Sequence, residues 1–368
     1  MRPDPVGDPE RIESLDVLRG LAVLGILLMN VQSFSMPEAV YINPTAYGDL
    51  GGGNGWVWLF SHVLADRKFV AIFSMLFGAG ILLFTGRAET RGDPPTRLHV
   101  RRMLWLIVFG LAHAYLLWYG DILVAYGICG LLVYPLRRLR PGRRLALGLA
   151  LMAVASGLTL AEGTAWPHRP EAERVEFIEE NWAPPADFVD EELAAYRGGW
   201  ADQMTLRAPV AWALQTEYFV HTELWRVSGL MLVGMSLFQW GVLGAERSRR
   251  FYRRMILIGA GLAVPLTLIG VQLNRAHQWS PDYSLFFGPQ INAWACLPMA
   301  MAWIGLVMEA CLRPRLGPLL APLKAVGRMA FTNYILETLL CTTLFYGHGL
   351  GLFGKVDRVG QLLFVLGI

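Results

Sequence analysis

Four side chains with acid–base or oxyanion-stabilising chemistry fall within or beside apolar stretches of this sequence: Asn30, Lys68, His113 and Asp121. A histidine that takes a proton, a carboxylate that orients it and an amide or ammonium that steadies an oxyanion are the parts of a general-base site. In that reading His113 is the base, Asp121 its partner, and Asn30 or Lys68 the stabilising group. The alternative is a hydrogen-bonded network that fixes helix packing, but four such groups at one depth favour the functional reading. His62, close to Asp66 and Arg67, is a second candidate base.

Other polar groups sit where apolar sequence makes them costly, so each needs a partner or a task. Asp16 and Arg19, three apart, form an ion pair or leave Arg19 to hold a phosphate; Glu223 and Arg226 repeat the spacing. Glu309 and Glu337 have no base nearby in sequence, and Asn333 shares a helix face with Glu337. Gly51–Gly55 lacks the Lys-Ser/Thr context of a phosphate loop and is expected to be flexible loop. Cys129, Cys296, Cys311 and Cys341 lie in apolar runs with neither CxxC nor a neighbouring His, which argues against a zinc site or a disulfide framework.

The elements that must position these groups follow from composition. The 368 residues are 54% hydrophobic and 17% charged, with a mean hydropathy of +0.41. Disorder, collagen and a solvated coiled coil are excluded. A net charge of +3 gives no case for nucleic-acid binding. Apolar runs near membrane-crossing length lie at about 15–34, 68–86, 103–119, 121–136, 145–163, 223–244, 255–273, 286–311, 329–347 and from 359. The expected fold is therefore all-α, a polytopic membrane bundle of about ten spans. The first run has no small-residue cleavage site and reads as a permanent span. Arginines cluster at alternate connections (Arg97, Arg101, Arg102; Arg137–Arg144; Arg247–Arg254; Arg313–Arg328), which predicts a cytoplasmic N-terminus. On this topology 1–14 is a cytoplasmic tail, 15–163 a first membrane half, 164–222 an acidic extracytoplasmic cap or lid, and 223–368 a second half. Val175, Ile178 and Trp182 predict a short amphipathic helix ended by Pro184-Pro185, with another from Asp187. The final apolar run is too short to span and is expected to be incomplete.

Leu15-Asp16-Val17-Leu18-Arg19-Gly20 through Asn30, Lys68-Phe69 through Gly80, His113 through Leu123, and Gly327-Arg328-Met329-Ala330-Phe331-Thr332-Asn333-Tyr334 resemble, in order, the YeiB-like bacterial membrane family, domain of unknown function 418. The resemblance covers essentially the whole chain. It implies kinship with transmembrane acyltransferases that move an acyl group from cytoplasmic acyl-CoA to a sugar or envelope glycan outside. In one such enzyme an Asn ending span 1 and a His in the next outer loop carry the site. Asn30 matches the first by position and His62 lies in the matching loop, at longer spacing. In acyltransferase-3 relatives a His stands where this chain has Asn30. The implied donor is acyl-CoA, with Arg19, Lys68, Arg101, Arg102, Arg328 and Asn333 as donor- or substrate-binding candidates and no metal. The expected partners are membrane lipids and a glycan or lipid-linked acceptor, with homo-oligomerisation open. The rival reading is a transporter or export component, favoured by Glu309, Glu337 and the proline-interrupted spans at Pro265, Pro289 and Pro298.

Overall fold

The computed structural model describes residues 12–368; most of the 1–14 tail lies outside the described residues. Sixteen α-helices follow one another there, with no strand among the described residues. The first six are α1 (Glu13–Ser35), α2 (Gly52–Leu64), α3 (Lys68–Thr90), α4 (Pro95–Ala112), α5 (Leu123–Val133) and α6 (Pro141–Ala165). The 164–222 segment holds α7 (Glu171–Asn181), α8 (Ala186–Arg197) and α9 (Trp200–Gln215). Then come α10 (Leu224–Gln239), α11 (Arg249–Ala276), α12 (Pro281–Ser284), α13 (Gly288–Cys311), α14 (Gly317–Arg328), α15 (Ala330–Phe345) and α16 (Arg358–Gly367).

Six helical stretches among the described residues are long and apolar enough to cross a membrane: Glu13–Ser35, Gly52–Thr90, Pro95–Leu117, Pro141–His168, Arg249–Ala276 and Pro281–Cys311. The expectation of ten such helices therefore does not hold at the level of single elements. Four of the apolar runs fold into shorter helices for local reasons. After Val133 the chain tightens into a 3₁₀ turn containing Pro135, whose missing N–H cannot extend an α-helix. A π-turn at Phe219–Glu223 precedes α10. Non-helical dihedrals at Met329 separate α15 from α14, and α16 has only 10 residues. The glycine run at 51–55 departs from the loop expectation as well: α2 begins at Gly52, and the Asp49 carboxylate accepts from Gly51 N–H at 2.7 Å just before it.

Apolar surface and close packing divide the helices into two kinds. On α4 and α11, Trp105, Phe109, Leu257 and Ile258 are each at least half exposed, a face suited to hydrocarbon rather than water. In α10, every residue from Arg226 to Leu237 is buried. It packs on α3, α5 and α6 at the centre of the bundle. Reciprocal glycines let the backbones meet there. A methyl group added at Gly78 would come within 3.0 Å of the Met231 carbonyl, and one at Gly234 would meet Met75 equally closely. Gly148 with Gly229, and Gly20 with Gly327, repeat the arrangement.

Helix direction sorts the ionic groups into two ends. At one, Glu309 receives Arg249, Arg253 and Arg313, Arg137 meets Glu89, and Lys324 meets Glu13. At the other, α7–α9 close over the ends of the long helices. Asn43 donates to the Trp182 carbonyl at 2.8 Å, Trp182 Nε1 donates to the Trp279 carbonyl at 3.2 Å, and Arg207 Nη1 donates to the Leu117 carbonyl at 2.8 Å.

One latch of this covering layer is acidic. Glu38 N–H donates to the Glu192 carboxylate on α8 at 3.0 Å. Burial pushes both carboxyls up to about 7, and for Glu38 the neighbouring Glu192 charge adds to it. Both folded values exceed the usual carboxylate range, so the latch is fully stable below about pH 4 and weakens as pH rises through about 7. Amide exchange across 186–197 is expected to quicken over that interval. Glu192→Gln, which keeps an acceptor but cannot ionise, should flatten the dependence; an unchanged profile in that variant would refute the assignment.

Candidate functional site

Two histidine–aspartate pairs form in this fold, and they differ in what they leave open. His113 starts the π-turn His113–Leu117 at the end of α4. Its Nδ1 lies 3.0 Å from Asp121 Oδ1 and its Nε2 lies 3.0 Å from Thr338 Oγ1. Asp121 Oδ2 accepts from Val124 N–H at 2.9 Å. The two side chains are 1% and 0% exposed, and neither residue lines the cavity on which His62 lies. Every polar atom of the pair is thus committed inside the bundle, an arrangement that ties α4, α5 and α15 together.

His62 is placed otherwise. It lies near the C-terminal end of α2, and its Nδ1 is 3.0 Å from Asp66 Oδ2. A carboxylate only accepts, so Nδ1 carries a proton, and in the neutral ring it is Nε2 that holds the lone pair. Nε2 has no hydrogen-bond partner among the described residues, and the ring lines a cavity of about 260 Å³. Trp58 stacks on the ring at 5.2 Å. Asp66 Oδ2 also accepts from Asn292 Nδ2 of α13 at 2.6 Å. Lys68 Nζ binds Asn292 Oδ1 and donates to the His62 carbonyl at 2.7 Å. This is a base with an orienting acid, and the acid is itself held by a third group.

The local backbone makes the convergence possible. Arg67 adopts the left-handed conformation, φ 62°, between α2 and α3. For a residue with a Cβ this costs about 1–2 kcal/mol, and it turns the chain so that Asp66 and Lys68 both face Asn292. Trp279, another lining residue, which packs edge-on against Trp58 at 5.7 Å, is left-handed together with Gln278 before it, φ 55° and 54°. Left-handed residues with a Cβ are costly and cluster at functional sites.

The residues proposed from sequence therefore separate. His113 and Asp121 meet each other. Lys68 does not join them: the turn at Arg67 directs it to Asn292 and His62. Asn30 is half-buried and belongs neither to the His113 hydrogen bonds nor to the cavity wall. At the opposite end Arg19 pairs with Asp16 at 3.0 Å, with Arg328 4.0 Å from the same carboxylate. Arg101 and Arg102 are exposed near the start of α4. Asn333 Nδ2 donates to the Val326 carbonyl at 3.0 Å, fastening α15 to α14. Sequence reasoning missed Asn292, which sits in an apolar run 226 residues from its aspartate partner; Gln290 stands two residues before it in the same run, so no local signal singles Asn292 out. No group of three or more His, Cys, Asp or Glu side chains able to hold a metal ion occurs among the described residues.

These features define an all-helical protein of membrane type, with a histidine–aspartate pair opening into a cavity at the end away from its arginine clusters. The chain belongs to the YeiB-like family. It is 33% identical over 368 residues to protein YeiB of Escherichia coli (strain K12), covering 97% of this chain and 89% of that one. It is 28% identical to YxaH of Bacillus subtilis (strain 168), covering 98% and 87% of the two chains. A 39.9 kDa protein from the amylase 3′ region of Bacillus acidopullulyticus is 27% identical over 99% of this chain and 88% of its own. The family model described as protein of unknown function (DUF418) matches residues 237–368. None of these names states an activity.

Proposed function

We propose that this chain is a multi-pass protein of the bacterial inner membrane that transfers an acyl group from cytoplasmic acyl-CoA to an acceptor hydroxyl or amine outside. The observation that carries the reading is the open Nε2 of His62, with Asp66 behind it, in a cavity away from the arginine-rich end. Arginine asymmetry supports a cytoplasmic N-terminus and an external cavity. In this orientation the CoA nucleotide, too charged to enter hydrocarbon, stays at the arginine-rich face. Arg101 and Arg102 are exposed there and able to meet its phosphates. The thin pantetheine arm delivers the thioester toward His62. His62 Nε2 accepts the acceptor's proton as its oxygen or nitrogen attacks the thioester carbonyl; the C–S bond breaks and the CoA thiolate leaves. Lys68 reinforces the pair from behind, through the His62 carbonyl and Asn292.

A transport reading loses one of its supports, because Glu309 is bound by three arginines and so has no need of a cargo cation. The test is turnover of radiolabelled acetyl-CoA and longer acyl-CoAs by the purified chain in phosphatidylcholine nanodiscs, with sugars added to the cavity side. Consumption of thioester with label appearing on a sugar is expected. Absence of both transfer and slow hydrolysis across chain lengths, together with substrate flux in proteoliposomes, would overturn acyl transfer in favour of transport.

A further inference from the structure

The cavity that His62 opens into also holds an unfulfilled cation. Arg226, at the start of α10, is only 7% exposed and lines the same cavity. Its Nη1 donates to Glu223 Oε1 at 3.1 Å. Its Nε and Nη2 are buried and meet no hydrogen-bond partner among the described residues. These two nitrogens form one edge of the guanidinium, the fork whose parallel N–H bonds match a carboxylate or phosphate. Four other arginines, Arg144, Arg174, Arg207 and Arg358, each leave a single buried Nε unpartnered; Arg226 leaves the whole fork.

A buried donor left without an acceptor carries a desolvation cost, and a site that accepts it loses stability unless a ligand repays the loss. Glu223 does not remove the demand, since it occupies only Nη1. Arg67 lines the cavity as well and adds a second positive charge. Six aromatic side chains also line it: Tyr41, Trp58, Trp182, Tyr218, Trp279 and Trp294. Flat indole and phenol faces suit the C–H face of a pyranose ring, and a cavity of about 260 Å³ falls just below the ~300–1,000 Å³ of drug-sized pockets. It is matched to one sugar unit rather than a polymer.

We infer that the His62 cavity selects an acceptor sugar bearing an oxyanion, a sugar phosphate or a sugar carboxylate, whose negative group seats on the Nε/Nη2 fork of Arg226. The inference rests on the proposed function for the word acceptor, but the binding itself does not require turnover. With the oxyanion on Arg226 and the ring against the tryptophans, a sugar hydroxyl is presented toward His62 Nε2.

The experiment is binding without acyl-CoA, so that it is scored apart from transfer. Intrinsic tryptophan fluorescence of the full chain in phosphatidylcholine nanodiscs would be titrated with glucose 1-phosphate, glucuronate and glucose. At least one of the two anionic sugars should bind at least about tenfold tighter than glucose, from charged hydrogen bonds that the neutral sugar cannot make. Which of the two binds better identifies the oxyanion. Arg226→Gln should remove the preference and leave weak, equal binding. Arg226→Lys keeps the charge but not the fork and should retain only part of the preference; it also serves if the glutamine variant fails to fold. Equal affinity for glucose, no binding of either anionic sugar, or an unchanged preference in both Arg226 variants would overturn the inference. So would binding that appears only when phosphatidylglycerol is added as the sole anion, which would assign the fork to a lipid headgroup. Failure of acyl transfer with intact anion preference would refute the proposed reaction alone.

Discussion

Replacing His62 by alanine is expected to lower acyl transfer by about 10²–10⁴-fold, the usual contribution of a positioned general base, while the bundle stays folded. His62 Nε2 has no internal partner, so its removal deprives no other atom of a hydrogen bond at that position. The loss at Nδ1 is partly covered, because Asp66 Oδ2 keeps Asn292 at 2.6 Å. Asp66→Asn should be nearly as damaging. An amide in its place no longer requires the proton on Nδ1, and the tautomer that frees Nε2 is no longer enforced. His113→Ala provides the contrast. It strips Asp121 Oδ1 of its partner in a fully buried place and leaves Thr338 Oγ1 only the Tyr334 carbonyl, and a buried acceptor left unsatisfied costs about 1–3 kcal/mol or more. Folded yield, not turnover per folded molecule, should fall there. Labelled acetyl-CoA turnover and thermal denaturation on the three variants decide the matter. Retained turnover in His62→Ala, with specific loss of turnover in a well-folded His113→Ala, would move the base back to His113.

Gly78→Val or Gly234→Val should all but eliminate folded protein. At each site even a Cβ falls within 3.0 Å of backbone on the facing helix, and backbone cannot rotate out of the way as a side chain can. α3 and α10 would have to separate, and α10 is buried from Arg226 to Leu237. Overpacking in a core that can relax costs about 1–3 kcal/mol; a rigid helix crossing lies at or beyond the top of that range. Gly80 and Gly86 on the same helix α3 have nothing within 4 Å of an added Cβ and supply the control. Gly86→Ala should be neutral or slightly stabilising, since alanine is the better helix former. Fluorescence-detected size exclusion of the variants measures this directly. A monodisperse peak for Gly78→Val at the parental level would show that the two helices do not cross as closely as described.

The glycine pairs also mark where reading a sequence and seeing a fold part company. Gly78 stands in a recognisable Leu76-Phe77-Gly78-Ala79-Gly80 stretch, yet nothing local distinguishes it from Gly80 or Gly86. Only the facing Met231 carbonyl makes the difference. The all-helical class, by contrast, was legible at once. Hydropathy is a sum over neighbouring residues, and the cost of exposing unpaired backbone in hydrocarbon leaves helices as the solution for such runs. The helices from Asp187 and around Val175–Trp182 were legible for a similar reason: their signals, apolar spacing and Pro184-Pro185, are local. Span length was less so, because a π-turn at Phe219 or a 3₁₀ turn at Tyr134 leaves hydropathy unchanged while dividing the helix.

Residue order and type were enough to establish the helical membrane class, the sorting of arginines into alternate connections and the family. They also brought out both histidines with an aspartate near each. Tertiary structure alone decided between the histidines. His113 and His62 each find an aspartate at 3.0 Å, from eight and four residues away, so local spacing ranks neither above the other. The distinction lies in the third partner. Thr338, 225 residues distant, closes the free edge of His113, whereas Asn292, 226 residues from Asp66, holds the aspartate and leaves the edge of His62 open. Such contacts depend on how helices rotate and cross when they pack, a property of the whole bundle that no window of sequence contains. The same packing buries Arg226 beside the cavity with Nε and Nη2 unpartnered, a property that its i,i+3 spacing from Glu223 does not contain and that arises only once α10 is seated among its neighbours.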